Sequence, residues 1–146
     1  MARRGAVVVI DGDRVALIER RSPRSEGIYY LFPGGHLEEG ESSADAAQRE
    51  AVEELGLIVR IERLLAIGAH HGNEQHYYLA SVAGGTFGTG AGEELRPDPT
   101  HPNGTYTPVW LGREELMRCD IRPKSLATLL HGRGEMDSTT IIRITD

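Results

Sequence analysis

The sequence predicts a mixed α/β or α+β domain, a sheet carrying helices on opposite faces, and does not decide between the two classes. Three observations predict it. β-rich runs fall in two groups, residues 5–10 with 15–19 and residues 57–67 with 74–82. A capped helix over residues 42–55 separates the groups, and an apolar helix over 124–130 lies near the end of the chain. The length of 146 residues suits one domain with a real core, and no internal repeat divides it.

The first two strands, 5–10 and 15–19, are joined by Asp11-Gly12-Asp13, a good hairpin turn. Residues 20–27 are polar, contain Pro23 and Gly27, and read as a loop. Arg20, Arg21 and Arg24 in that loop are candidates to pair with substrate phosphates. A short strand over 29–32 then leads into the turn Pro33-Gly34-Gly35.

The helix has a visible start and stop. Ser42-x-x-Asp45 is a capping-box pattern, and Gly56 supplies a left-handed end after Leu55. Ala44, Ala47, Ala51 and Leu55 share a stripe roughly 80° wide at 3.6 residues per turn. Three of these four are alanine, so the helix can approach its sheet closely. Glu50, Glu53 and Glu54 stand at i, i+3 and i+4, an arc of about 100° beside that stripe. Like charges at this spacing repel, so a cation is expected among them. Oxygen-only donors favour Mg²⁺ or Mn²⁺ over zinc. Arg49, within four residues of both Asp45 and Glu53, suits a brace that holds the acids.

After the helix, residues 57–67 predict a long strand whose antiparallel partner, 74–82, follows the turn His70-His71-Gly72-Asn73. Residues 83–104 are rich in Gly and Pro, lack periodicity and read as a long loop carrying Glu93 and Glu94. A strand around Trp110 spans 105–111, and short helices are expected at 114–118 and 124–130. Residues 139–144 form a last strand or an ordered tail.

The acids sit in a wider pattern. Gly35, five residues, Glu41, seven residues, then Arg49-Glu50-Ala51-x-Glu53-Glu54-x-Gly56-Leu57 resembles the signature box of the Nudix hydrolases at every fixed position. The lead-in Phe32-Pro33-Gly34-Gly35 is also typical of that family. The resemblance implies a Nudix-type α/β/α sandwich with a mixed central sheet. It implies metal-dependent hydrolysis of a nucleoside diphosphate linked to another moiety, a small molecule rather than a polymer. Residue by residue, it implies metal ligation by Glu50, Glu54 and the Gly34 carbonyl, with Glu53 as a further ligand or a base. Glu41 matches the box acid that more often supports the loop. Many relatives add a carboxylate from a loop outside the box, which makes Glu94 a catalytic candidate beside Glu53 and the bracing Arg49. Many relatives also form homodimers, though no exposed apolar stripe here demands one.

Other side chains are weaker candidates. His36 borders the box and is placed to touch substrate, whereas the histidines at 70, 71, 76 and 101 read as solvated or hydrogen-bonded. Phe87, Tyr29, Tyr77 and Tyr78 could stack on a base, although packing in strands is the commoner use of such residues. The patterns that separate substrate classes among Nudix hydrolases do not match in register, and the compact chain leans toward small nucleoside di- or triphosphate derivatives. A nucleotide sensor of the same fold is the alternative reading, disfavoured by the intact box. An isoprenoid diphosphate isomerase is disfavoured because Cys119 lies far from the box.

Composition narrows the rest. A net charge of −6 argues against binding nucleic-acid polymers through phosphate contacts. The single cysteine excludes an intrachain disulfide. The apolar run near the start stops at Asp11, short of a signal core, and no segment has the length of a membrane span, so a cytoplasmic protein is expected.

Overall fold

The computed structural model describes residues 3–21, 27–90, 104–132 and 139–146. The strands are β1 (Arg3–Asp11), β2 (Arg14–Arg21), β3 (Ile28–Leu31), β4 (Gly34–His36), β5 (Leu57–His70), β6 (Asn73–Gly85), β7 (Thr105–Gly112), β8 (Ile121–Arg122) and β9 (Ile142–Arg143). Helix α1 (Ser43–Glu50) follows β4, and α2 (Lys124–His131) follows β8. The strands form one sheet in the order β8-β3-β2-β1-β6-β5-β9, with β4 also paired to β1 and β7 to β2. Pairing is mixed, for β1–β6, β3–β8 and β5–β9 run parallel and the remainder antiparallel.

The two central strands explain the layering. Val7, Val9, Ala16 and Ile18 join Ala47, Ala51 and Leu55 in one core, on the side of α1. Ala6, Val8, Val15 and Leu17 face the other way, into a core shared with Leu126, Ala127 and Leu130 of α2. Strands buried on both faces read as continuous apolar runs rather than alternating ones. The result is an α/β/α sandwich, as expected.

Helix α1 begins as the sequence predicts. Ser42 Oγ accepts from the Asp45 amide at 3.1 Å, and Asp45 Oδ2 accepts from the Ser42 amide at 3.1 Å. Its end differs. Residues Ala51–Leu55 form a π-helical turn, closed by Gly56 at φ 77°. A wider turn changes the angular step, so the arc drawn for a uniform α-helix does not hold past Glu50. The buried face is also shifted, with Ser43 and Ala46 buried beside Ala47, and Ala44 only half-buried.

Several expected boundaries move. Arg20 and Arg21 belong to β2 rather than to a loop, because that strand is paired on both edges through Arg21, with Ile28 of β3 and Thr105 of β7. The Pro-Gly-Gly segment gives a short strand instead of a plain turn. β6 continues to Gly85, and the start of the glycine-rich stretch is fastened to the helix end: Thr86 and Gly88 amides donate to the Gly56 and Leu55 carbonyls at 3.1 and 2.9 Å. Residues 113–117 form a 3₁₀ turn, and the two-residue β8 went unforeseen. Arg24, Glu93, Glu94 and His101 lie outside the described residues. No helix among the described residues is long and apolar enough to cross a membrane.

Helix α1 lies so close to β1 that a Cβ on Gly5 would stand 2.1 Å from the Ser43 carbonyl oxygen and 2.9 Å from the Ala47 nitrogen. Both neighbours are helix backbone and cannot swing away. Gly5→Ala should therefore cost about 1–3 kcal/mol, the range for overpacking a tight interior. Urea unfolding measures this, and an unchanged midpoint would show that the helix does not rest on Gly5.

Candidate active site

A cleft of about 990 Å³ gathers residues from β1, β2, β3, β4, β6 and β7, from α1 and its π turn, and from the segment entering α2. Its floor is the junction of β4 with α1. A Cβ on Gly35 would meet Glu50 Oε1 at 2.3 Å, so the missing side chain is what admits the carboxylate. Beside it the Gly34 amide donates to Glu54 Oε2 at 2.9 Å. Glu50 and Glu54 both line the cleft, together with Gly34 and His36.

Arg49 organises the acids. Its Nε and Nη2 make a fork onto the two Glu41 oxygens at 2.9 and 3.0 Å. Its Nη1 reaches Glu50 Oε1 at 2.8 Å and Glu53 Oε2 at 3.1 Å, and Nη2 also donates to the His36 carbonyl at 2.9 Å. These bonds raise the guanidinium pKa above its ordinary value, the Glu41 fork contributing most. The same fork, helped by the Glu38 amide, holds the Glu41 carboxyl below its usual range. Arg49 is thus a brace, with Glu41 and Glu53 among its partners and Asp45 committed to the helix cap. Glu50 and Glu53 diverge in exposure, at 13% and 44% of their side chains, and Glu53 pairs with Arg49 without joining the cleft lining, unlike Glu50 and Glu54.

A second arginine, overlooked in the sequence, approaches from below. Arg4 Nε donates to Gln75 Oε1 at 2.6 Å and Nη2 to the Gly34 carbonyl at 3.4 Å. Burial lowers its pKa, while Glu54 and Glu50 pull the other way. One signal existed: Arg4 shares strand parity with Ala6 and Val8 and so lies on the face of β1 turned toward α2, where a buried charge needs partners. The repulsion among the acids is therefore already relieved in part by Arg49 and Arg4. Among the described residues no three His, Cys, Asp or Glu side chains close on a common point. The donors nevertheless fit a hard divalent ion in kind, being carboxylates and a backbone carbonyl around a floor cleared by glycine.

The substrate-binding candidates separate. Arg20 and His36 line the cleft. Arg21 points away, 63% exposed and 3.5 Å from Glu19, because adjacent strand residues face opposite sides. Phe87 is also elsewhere: it stacks on Trp110 with centroids 4.8 Å apart, packed against the core beneath α1. Tyr29 and Tyr77 line the cleft, whereas Tyr78 meets Ser43 Oγ at 2.6 Å beside α1. Tyr106, Arg122 and Lys124 join the lining without having been singled out in the sequence.

His70, also on the cleft wall, has its pKa lowered to about 4, by burial first and then by the positive charge of Arg4, His71 and His36. A histidine whose folded pKa lies below its unfolded value contributes stability that is complete above about pH 6.5 and is lost as pH falls toward 4. NMR titration of the ring should find a midpoint near 4. A midpoint near the ordinary 6.5 would show the ring to be solvated.

Comparison with known proteins gives the arrangement its context. The NUDIX domain model matches residues 1–128. The chain is 35% identical over 85 residues to the 8-oxo-dGDP phosphatase NUDT18 of Homo sapiens, covering 58% of this chain and 26% of that protein. It is 31% identical over 80 residues to an ADP-ribose pyrophosphatase of Methanocaldococcus jannaschii, covering 51% of this chain and 47% of the other. The matched stretches thus span under half the length of these curated relatives. A crystal structure of a NUDIX hydrolase from Nitrosomonas europaea superposes with a TM-score of 0.70 at 18% identity, covering 99% of this chain and 79% of that one, a likeness of fold. With the signature box built into the glycine-floored turn and the helix that follows it, this chain belongs to the Nudix family.

Proposed function

We propose that residues 1–146 act as one hydrolase domain that uses Mg²⁺ or Mn²⁺ to split the phosphoric anhydride of a nucleoside diphosphate joined to another moiety. The observation that carries this reading is the floor of the cleft. Glu50 and Glu54 face one cavity from successive turns of a helix, above a strand whose Gly35 leaves room for the Glu50 oxygens and whose Gly34 amide donates to Glu54. Both curated relatives carry names of enzymes acting on nucleoside diphosphate compounds, which supports the same reading.

In this proposal Glu50, Glu54 and the Gly34 carbonyl hold the ion. A divalent ion so bound neutralises phosphate oxygens and acidifies water. Arg49, anchored by the Glu41 fork, keeps Glu50 in place and tethers Glu53 one turn away, and Glu53 is the acid assigned here to take a proton from the attacking water. Arg4 steadies the Gly34 carbonyl from beneath. Arg20 and His36 face the cleft where the phosphates would lie. Phosphoryl transfer relies chiefly on positioning and charge stabilisation, and a braced set of acids supplies the first of these.

Purified protein with Mg²⁺ or Mn²⁺ should turn over members of a panel of nucleoside triphosphates, ADP-ribose, nucleotide sugars, dinucleoside polyphosphates and coenzyme A, and chelator should abolish it. Glu54→Gln should lower kcat by at least about 10²-fold, the scale for removing a positioned charged group. Near-normal rates in that variant would sink the assignment.

A further inference from the structure

Opposite the acids, the wall of the cleft is built from alternating guanidinium and phenol groups. Arg20 on β2 is the direct partner of Tyr29 on β3 and of Tyr106 on β7, so the three side chains stand in a row across adjacent strands. The Arg20 guanidinium lies over the Tyr106 ring at 3.8 Å and over the Tyr29 ring at 5.6 Å. Arg122 on β8 extends the row, its guanidinium 4.1 Å from the same Tyr29 centroid. All four residues line the cleft, as does Lys124.

We infer that this row reads a second negative charge on the substrate, borne by the group beyond the scissile anhydride. Three considerations lead there. First, a guanidinium stacked on a ring keeps its N–H donors in its own plane, pointing past the ring edge, and such a rigid fork matches phosphate and carboxylate oxygens. Second, Tyr29 carries two guanidiniums over its ring, so it is committed to holding arginines rather than to stacking on a base. Third, Lys124 adds a further cationic side chain to the same lining, so an anionic group on a ligand meets several positive charges there. Arg122 is 56% exposed and its Nε and Nη2 make a fork onto Asp120 at 3.3 and 3.0 Å. That fork orients the guanidinium, and its Nη1, which makes no bond to Asp120, is the edge that can meet a ligand oxygen.

The substrate class follows, and it rests on the function proposed above. A diphosphate would engage the acidic floor through its ion, while the row takes a terminal phosphate or another anionic group. Compounds with a neutral distal half, such as nucleotide sugars, leave the row unused. Arg122 and Arg20 thus become specificity-determining residues.

The test measures binding rather than turnover, in Mg²⁺ buffer, with the α,β-methylene analogue of ADP-glucose and the doubly bridged α,β:β,γ-bismethylene analogue of ATP, neither of which has a P–O–P bond to split. The unaltered chain should prefer the ATP analogue, and Arg122→Gln should shrink that preference by about tenfold, the scale of one charge-assisted contact. Arg122→Lys should give an intermediate loss, since charge remains while the planar fork is gone. Equal loss of both ligands, an unchanged preference in Arg122→Gln, or failure of the unaltered chain to bind either analogue would overturn the inference. Silence in the turnover panel alongside a preserved binding preference would overturn the hydrolase reading and leave the row's role standing.

Discussion

Helix α1 reaches the sheet at a distance that only backbone can occupy. Ser43 and Ala47 press on Gly5, and Glu50 presses on Gly35, so helix and strands meet through glycine at both ends of the contact. The helix start is pinned as well, for the buried Ser43 Oγ meets His76 Nδ1 at 2.8 Å and Tyr78 Oη at 2.6 Å on β6. Everything on the cleft floor depends on this approach. Had the helix ridden a further methyl's width away, Glu50 would no longer overhang the glycine turn and Glu54 would no longer reach the Gly34 amide. The closeness is set by residues that carry no chemistry themselves.

On this frame Arg49 turns a set of mutually repelling acids into a fixed array. A guanidinium offers five donors in one plane, and here they are divided among Glu41, Glu50, Glu53 and the His36 carbonyl. The bidentate bond to Glu41 fixes the orientation of the plane, and the others then follow from it. Lysine could not substitute, because a single ammonium cannot brace the Glu41 pair and still span two more carboxylates. The π turn contributes differently. The helix widens after Glu50, and within that turn Glu53 is exposed beside Arg49 while Glu54 reaches the Gly34 amide.

How far the sequence discloses this structure depends on the range of the interactions involved. The capping box, the glycine stop and the paired central strands are local patterns, and all were legible. The layer order also followed, from two groups of strands with one helix between them and another near the end of the chain. What stayed hidden depends on distant partners. Arg20 and Arg21 look like loop residues because they are polar, yet β3 and β7 claim them from either edge. Phe87 looks like a base-stacking residue until Trp110, from the far side of the chain, takes its face. The π turn leaves no compositional trace. Repulsion among the carboxylates is softer than their spacing implies, because Arg4, from another strand, shares their field.

The charges of the cleft differ from those of the chain. Arg4, Arg20, Arg49, Arg122 and Lys124 face Glu38, Glu50, Glu54, Asp120 and Asp146 along its lining, a formal balance of zero in a chain of net charge −6. The surplus negative charge thus resides elsewhere. A polyanionic ligand is repelled by the molecule as a whole but not by the site, and a divalent ion, if held by the acidic floor as proposed, would tip the site positive. Ion and anion would then favour one another's entry. On the proposed reading the arrangement would also discriminate, since a ligand without an anionic group gains nothing from the arginines. Selectivity for charge would then arise from two separate groups of side chains, acids held by Arg49 and arginines stacked on tyrosine, rather than from any net field of the protein.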